Sequence, residues 1–259
     1  MQPDISEFSY GYALTEELIH GSGLAIQAAP LFPSLIAEGK VGGGYDVQIP
    51  FVGFPLFLQF KLSDCMIRHT AWEVQQGLLS PPFYRMHLRP KKHSMQHQLL
   101  LDLEAKGELV YYVAPHFHLP SELNDAYLNR QVINRSVFFK PSQIGPLPDD
   151  DWHHVAFHAG QPAYFCSEPR LLQDESKSRE RFDSDLLQGL TERRQLDGSY
   201  QSLARLASEM LECLREQIQP DEMHSSEFDQ IGSREPRFQI AFLARAFFGC
   251  EIILIRPRD

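Results

Sequence analysis

The run Leu109-Val110-Tyr111-Tyr112-Val113-Ala114-Pro115 most constrains this chain, because it is apolar throughout and has strand length. A strand with no polar face must be covered on both sides, as in the middle of a layered α/β sheet. Its flanks agree. Residues 96–106 carry Leu99, Leu100 and Leu103 at helical spacing and stop at Gly107. On the other side, Leu119-Pro120-Ser121-Glu122 opens a helix that runs to about Val132, with proline in its first turn. Ser136-Val137-Phe138-Phe139 then reads as a further strand. Helix, strand, helix, strand in that order implies an α/β fold with helices packed on a sheet.

The segment before this unit extends the pattern. Residues 6–20 predict a helix capped by Ser6, with Phe8, Tyr12, Leu14 and Leu18 favouring one side and Gly21 near its end. A short helical piece is expected over residues 34–38. Two strand-like runs then flank the turn Val52-Gly53-Phe54-Pro55, which predicts a hairpin over about residues 45–62. Residues 63–95 read as an insertion broken by Pro81-Pro82, within which Phe83 to Leu88 alternates like a strand.

After Gly145-Pro146-Leu147-Pro148 the character changes. Short strands are expected at 155–157 and 163–165. The charged stretch 174–185 is expected to be mobile. Leu203 to Ile218 is an amphipathic helix, residues 220–235 a polar exposed connection, Arg237 to Phe248 a helix ended by Gly249, and Glu251 to Ile255 a closing strand. The expected organisation is an α/β core over 1–145, with its insertion at about 63–95, and a smaller, mainly helical extension over 146–259 packed on that core.

At 259 residues with 43% hydrophobic and 22% charged side chains, the chain can bury a core of ordinary size. No stretch approaches the roughly 20 apolar residues of a membrane span, and no signal-peptide pattern opens the chain. Cys65, Cys166, Cys213 and Cys250 are scattered, which fits a reducing, cytoplasmic setting. A net charge of −10 argues against a dedicated high-affinity nucleic-acid binder. The charge is uneven, however: Arg85, His87, Arg89, Lys91, Lys92 and His93 follow one another with no acid among them.

The hairpin carries the candidate chemistry. Gln59 and Lys61, two apart, share one face of a strand, and a hairpin brings that face towards Asp46. A carboxylate, an amide carbonyl and an ammonium would converge there, a set able to hold a hard divalent cation and a phosphate. The commonplace account is a turn aspartate followed by two solvent-facing strand residues. Gly42-Gly43-Gly44 leads flexibly to Asp46 and forms no phosphate-binding loop.

Asp46, Gln59-Phe60-Lys61 and the surrounding helix, strands, helix and strand resemble the PD-(D/E)xK nuclease superfamily over roughly residues 5–140. The variant is the Mrr-like one, with glutamine in place of the middle acid. The resemblance implies a restriction-endonuclease-like αβββαβ core, for whose third strand the run 83–88 is the candidate. It also implies Mg²⁺- or Mn²⁺-dependent hydrolysis of phosphodiester bonds, most readily in DNA, in bacterial restriction or anti-phage defence, with cutting by a homodimer common among such enzymes.

On this reading Asp46, Gln59 and the Leu58 carbonyl hold the metal, and either Glu17 or Glu7 of the first helix joins them. Lys61 orients or deprotonates the attacking water and offsets charge on the phosphorane. Arg68, Tyr84, Arg85, His87 and Arg89 are the candidate nucleic-acid contacts. Gln96 or Gln98 would face the site from the next helix, and His116 and His118 would border the cleft. A zinc site takes about four ligands at local spacing, and no cysteine pair accompanies His116, His118, His153, His154 or His158, so none is expected. The competing reading is a catalytically degenerate nuclease-like module that binds nucleic acid or a protein partner. Gln in place of the acid and the negative overall charge both fit it.

Overall fold

The computed structural model describes residues 1–21, 24–26, 54–159, 161–173, 179–193, 200–218 and 225–257. Asp46, the first half of the expected hairpin and the piece at 34–38 lie outside the described residues.

The fold is mixed α/β, with two five-stranded sheets among the described residues. The strands are β1 (Leu24–Ile26), β2 (Phe54–Phe60), β3 (Ser63–Met66), β4 (Phe83–Leu88), β5 (Leu109–Pro115), β6 (Ser136–Phe139), β7 (His153–Phe157), β8 (Ala163–Phe165), β9 (Arg170–Gln173) and β10 (Glu251–Pro257). The first sheet has the order β1-β10-β2-β5-β6 and the second β3-β4-β7-β8-β9. The second sheet is antiparallel throughout. In the first, β2 and β5 are parallel and every other pair is antiparallel.

The helices that matter for the site are α1 (Glu7–Gly21), α2 (Trp72–Gln75), α3 (Gln96–Ala105), α4 (Pro120–Leu128), α5 (Pro141–Ile144), α6 (Arg179–Arg193), α7 (Tyr200–Gln217), α8 (Ser225–Gly232) and α9 (Pro236–Leu243). Strand alternation divides their packing into two cores. Leu56, Leu58 and Phe60 of β2, with Leu109, Tyr111 and Val113 of β5, face Tyr10, Leu14 and Leu18 of α1 and Phe182, Leu186 and Leu190 of α6. Phe57, Val110, Tyr112 and Ala114 face the opposite way. They meet the α3 leucines, the apolar stripe of α7, and Met86, Leu88, Val155 and Phe157 of the second sheet. The interior strand β5 is buried along its whole length, as its unbroken apolar sequence requires.

Several expectations change. β4 does not join the first sheet as a third core strand; it lies between β3 and β7 in the second. Its alternation explains why: Met86 and Leu88 point into the core while Arg85 and His87 point out. The neighbours of β2 are β10 on one edge and β5 on the other, so the strand beside Leu58 comes from the far end of the sequence. Residues after 146 thus supply strands to both sheets and interleave with those before. Part of the charged stretch expected to be mobile belongs to α6, where Phe182, Leu186 and Leu190 recur every fourth residue under a charged exterior. The expected polar connection at 220–235 contains α8, which buries Ile231.

β10 contributes Ile252, Ile253, Leu254 and Ile255, all buried. At roughly 1.5–3 kcal/mol for each such side chain, its removal forfeits an amount comparable with the ~5–15 kcal/mol stability of a whole domain. A chain stopped after Gly249 is expected to lose its cooperative thermal transition, checked by circular dichroism. A sharp melt like that of the full chain would show that the first sheet closes without β10.

Candidate functional site

Gln59 and Lys61 sit at the end of β2, where the ladder to β5 closes with the Lys61 amide donating to the Val113 carbonyl at 2.9 Å. Gln59 is 2% exposed. Its Nε2 donates to Oε1 of Gln96, the first residue of α3, at 3.1 Å. Its Oε1 is buried and has no hydrogen-bond partner among the described residues. An unsatisfied buried acceptor costs about 1–3 kcal/mol. The Gln96 bond uses the amide nitrogen and leaves the carbonyl to meet a cation or a donor.

The neighbouring residue His97 anchors the start of α3. Its Nδ1 lies 2.8 Å from the Tyr112 hydroxyl and its Nε2 2.7 Å from the Gly145 carbonyl. The carbonyl can only accept, so Nε2 carries a proton and the Tyr112 hydroxyl donates to Nδ1. Burial holds this imidazole below its ordinary pKa, consistent with the neutral form.

Burial also lowers the Lys61 ammonium below its ordinary pKa. Nearby Glu7 opposes that shift, and Arg89 adds to it. Of the two first-helix acids, Glu7 is therefore the one whose charge acts on Lys61. Glu17 is committed elsewhere: its Oε2 accepts from the amides of Val132 at 2.6 Å and Ile133 at 3.4 Å, which pins the turn after α4. Leu58 stands opposite Glu251 on one side and Tyr111 on the other, so its main chain lies within the ladder.

The loop before β10 completes the surroundings. Gly249 has φ +66, and a Cβ there would stand 2.6 Å from the Gln96 Nε2 and 2.9 Å from the Gln59 Nε2. Only glycine lets this backbone approach the amide pair. Beyond it, Glu251 pairs with Arg245, and both line a cavity of about 300 Å³ with Glu7, Tyr12, Phe60 and Cys250. Burial raises the Glu251 carboxyl and Arg245 partly offsets it. The sequence signal for these residues, a glycine stop followed by Cys250-Glu251, lies about 190 positions from Gln59, and sequence reading took it only for a closing strand.

The expected basic patch divides in two. Arg85 is not free to grip a phosphate: its Nε and Nη2 donate to buried Glu73 at 2.7 and 2.5 Å. His87 lies 3.0 Å from Asp64. Tyr84 turns inward, with ring centroids 6.0 Å from His116 and 6.2 Å from Phe157. His118 is buried and His116 half-buried beside it rather than lining an open cleft, and desolvation takes the His116 imidazole down to about 3. Arg68 and Arg89 remain exposed, as do Lys91 and Lys92 on the turn leading into α3. Gln98 donates to Asp102 and takes no part in the amide pair.

A second cluster was not expected from sequence. Glu73 of α2, His154 of β7 and Cys166 beyond β8 bring one ligand atom each within 4.8 Å of one another, and this group could hold a metal ion. Burial alone would raise the Glu73 carboxyl, but hydrogen bonds from His154 and Arg85 outweigh it and hold the group at about 2.

Comparison with protein-family models, curated proteins and solved structures finds no match. Among the described residues no helix is long and apolar enough to cross a membrane.

Two outcomes follow from this geometry. Gly249→Ala is expected to destabilise the fold by about 1–3 kcal/mol, from the left-handed backbone and the collision with two amides. Chemical denaturation reads this directly, and a neutral effect would mean the loop gives way freely. The second concerns Lys61. Between its depressed native pKa and the ordinary 10.5, the unfolded chain keeps a proton that the native state has lost. Native stability therefore rises with pH across that window. Lys61→Met removes the dependence, so any advantage of the variant over wild type shrinks as pH rises through the window. A gap that stays constant from about pH 7 to about pH 10 in urea melts would show Lys61 to be fully solvated.

Proposed function

We propose that this chain is a divalent-metal-dependent phosphodiesterase acting on nucleic acid, with DNA the favoured polymer. The observation that carries the reading is the buried Gln59 carbonyl, unpartnered among the described residues and close in sequence and space to a desolvated Lys61. A buried amide oxygen is a hard, neutral ligand of the kind Mg²⁺ or Mn²⁺ accepts. When bound, such an ion would polarise a phosphoryl oxygen and lower the pKa of a water.

The chain's own residues would do the rest. Gln96 holds the Gln59 amide so that its oxygen faces outward from the pair. Asp46 and the Leu58 carbonyl are the further proposed ligands, and Glu7 is favoured over Glu17 as the helix acid because its charge acts on Lys61. Lys61 carries its ammonium in a desolvated setting, where its attraction for a phosphate oxygen is strengthened. Arg89, Lys91 and Lys92, exposed beside the start of α3, form a positive rim for the polymer backbone despite the net charge of −10.

The directions of β1-β10-β2-β5-β6, with one parallel pair at β2 and β5, suit a restriction-endonuclease-like sheet in which β10 takes the place beside the Gln-x-Lys strand. That assignment, and a role in restriction or defence, remain part of the proposal. A second reading is favoured by the neutral Gln59: a degenerate module that binds nucleic acid or a protein partner without cutting.

The test is cleavage of plasmid, single-stranded DNA and RNA by purified protein with Mg²⁺, Mn²⁺ or EDTA. Metal-dependent cutting is expected, with Lys61→Ala and Asp46→Ala each reducing the rate by about 10²–10⁴-fold at unchanged circular dichroism. Cutting by both variants at the wild-type rate would remove these residues from the site. Retention of DNA in a mobility-shift assay with no cutting under either metal would leave the binding module as the function.

A further inference from the structure

Glu73, His154 and Cys166 come from three separate elements and meet on the outer side of the second sheet. Glu73 is fully buried, His154 Nε2 lies 2.9 Å from its Oε1, and Cys166 is 5% exposed. The Cys166 thiol donates to the Tyr164 carbonyl at 3.5 Å, and the charge of Glu73 acts on it. An ionised carboxylate only accepts, so the imidazole presents a proton to it. A proton held between an imidazole and a carboxylate, with a thiol beside them, occupies the place that a borderline-soft divalent cation takes when it displaces it. A tetrahedral ion with bonds of about 2.0–2.3 Å spaces its donors roughly 3.5 Å apart. The donor atoms here already lie within 4.8 Å of one another, so closure shortens each separation by no more than about 1.3 Å on that spacing.

A candidate fourth donor lies on the neighbouring strand, outside the three whose ligand atoms already converge. His87 is the register partner of His154, with ring centroids 5.9 Å apart. Its Nε2 is held 3.0 Å from Asp64 Oδ2, as an imidazole next to a metal site commonly is by a carboxylate. Arg85 stays on Glu73, with Nε on Oε1 at 2.7 Å and Nη2 on Oε2 at 2.5 Å, and compensates the anionic donors.

We propose that Glu73, His154 and Cys166, completed by His87, form a zinc-class metal site separate from the Gln59–Lys61 site. Binding exchanges protons for the ion: Cys166 gives its thiol proton to solvent, and His154 moves its single proton from Nε2 to Nδ1 through solvent so that Nε2 can bind. The groups facing the ion are Glu73 from α2, Arg85 and His87 from β4, Asp64 from β3 and His154 from β7, with Cys166 following β8. Of these, the thiol is the group that gives up a proton to solvent when the ion binds. The ligands are distant in sequence, which is why local spacing does not reveal them.

The test uses the full chain, stripped with chelator and titrated with Zn²⁺ against a chromophoric competitor and with Co²⁺ by absorption. One equivalent per chain is expected, tightening about tenfold per unit rise in pH for one released proton. Bound Co²⁺ should show a thiolate charge-transfer band. Cys166→Ser keeps a donor to the Tyr164 carbonyl, so it should fold, yet lose that band and at least about tenfold in affinity. His154→Ala should likewise lose affinity, whereas Cys213→Ser and Lys61→Ala should bind as wild type; the latter separates this site from the proposed phosphodiesterase centre. No stoichiometric binding, or binding unaltered in Cys166→Ser, would overturn the proposal and leave Glu73 as the hub of a structural ion pair.

Discussion

The insertion of β10 between β1 and β2 is the constraint on which the rest of the structure depends. β2 can be buried on both faces and paired on both edges only because this late strand supplies one of the edges. The same event brings Gly249 against the Gln59–Gln96 pair and Cys250 next to Lys61. Folding the sheet and assembling the candidate site are therefore one process. The low exposure of Gln59 and the depressed Lys61 follow from closure of the sheet around them.

What sequence reading captured is what local patterns encode. α1, α3, α4, β5, β6 and α7 were legible because their apolar residues repeat at 3.6 or fill a strand outright, or because their ends carry Gly107, Pro120 or Gly21. α6 was misread because charge dominates its composition, and only the i, i+4, i+8 recurrence of Phe182, Leu186 and Leu190 betrays its buried side. β10 was recognised as a strand, but pairing between segments almost 200 residues apart leaves no periodic trace. Gln59, Lys61 and Gln96 were legible as polar residues in suggestive places. That Gln59 and Gln96 bond to each other, and that Arg85 spends its charge on Glu73, are tertiary facts.

Charge in this molecule is spent locally. The −10 overall balance is distributed so that Arg85 and Arg245 neutralise buried or half-buried carboxylates. Arg89, Lys91 and Lys92 remain in solvent near Lys61. A surface acidic on average can present a short positive stretch, and at physiological salt the Debye length of about 8 Å confines its field to that neighbourhood. The outer side of the second sheet is organised differently. Its carboxylates and imidazoles are paired in a chain from Asp64 through His87 and His154 to Glu73.

The sequence distance between β2 and β10 also has a consequence in time. Ribosomes add roughly 5–20 residues per second, so the roughly 200 residues separating these strands take on the order of 10–40 s to make at that pace. Throughout that interval β2, whose buried face carries Leu56, Leu58 and Phe60, lacks its partner on one edge. An apolar strand with an open edge is a template for unwanted pairing. The nascent chain therefore spends its synthesis in the state most exposed to misassociation, and holdase chaperones have an obvious segment to shelter until the last strand arrives.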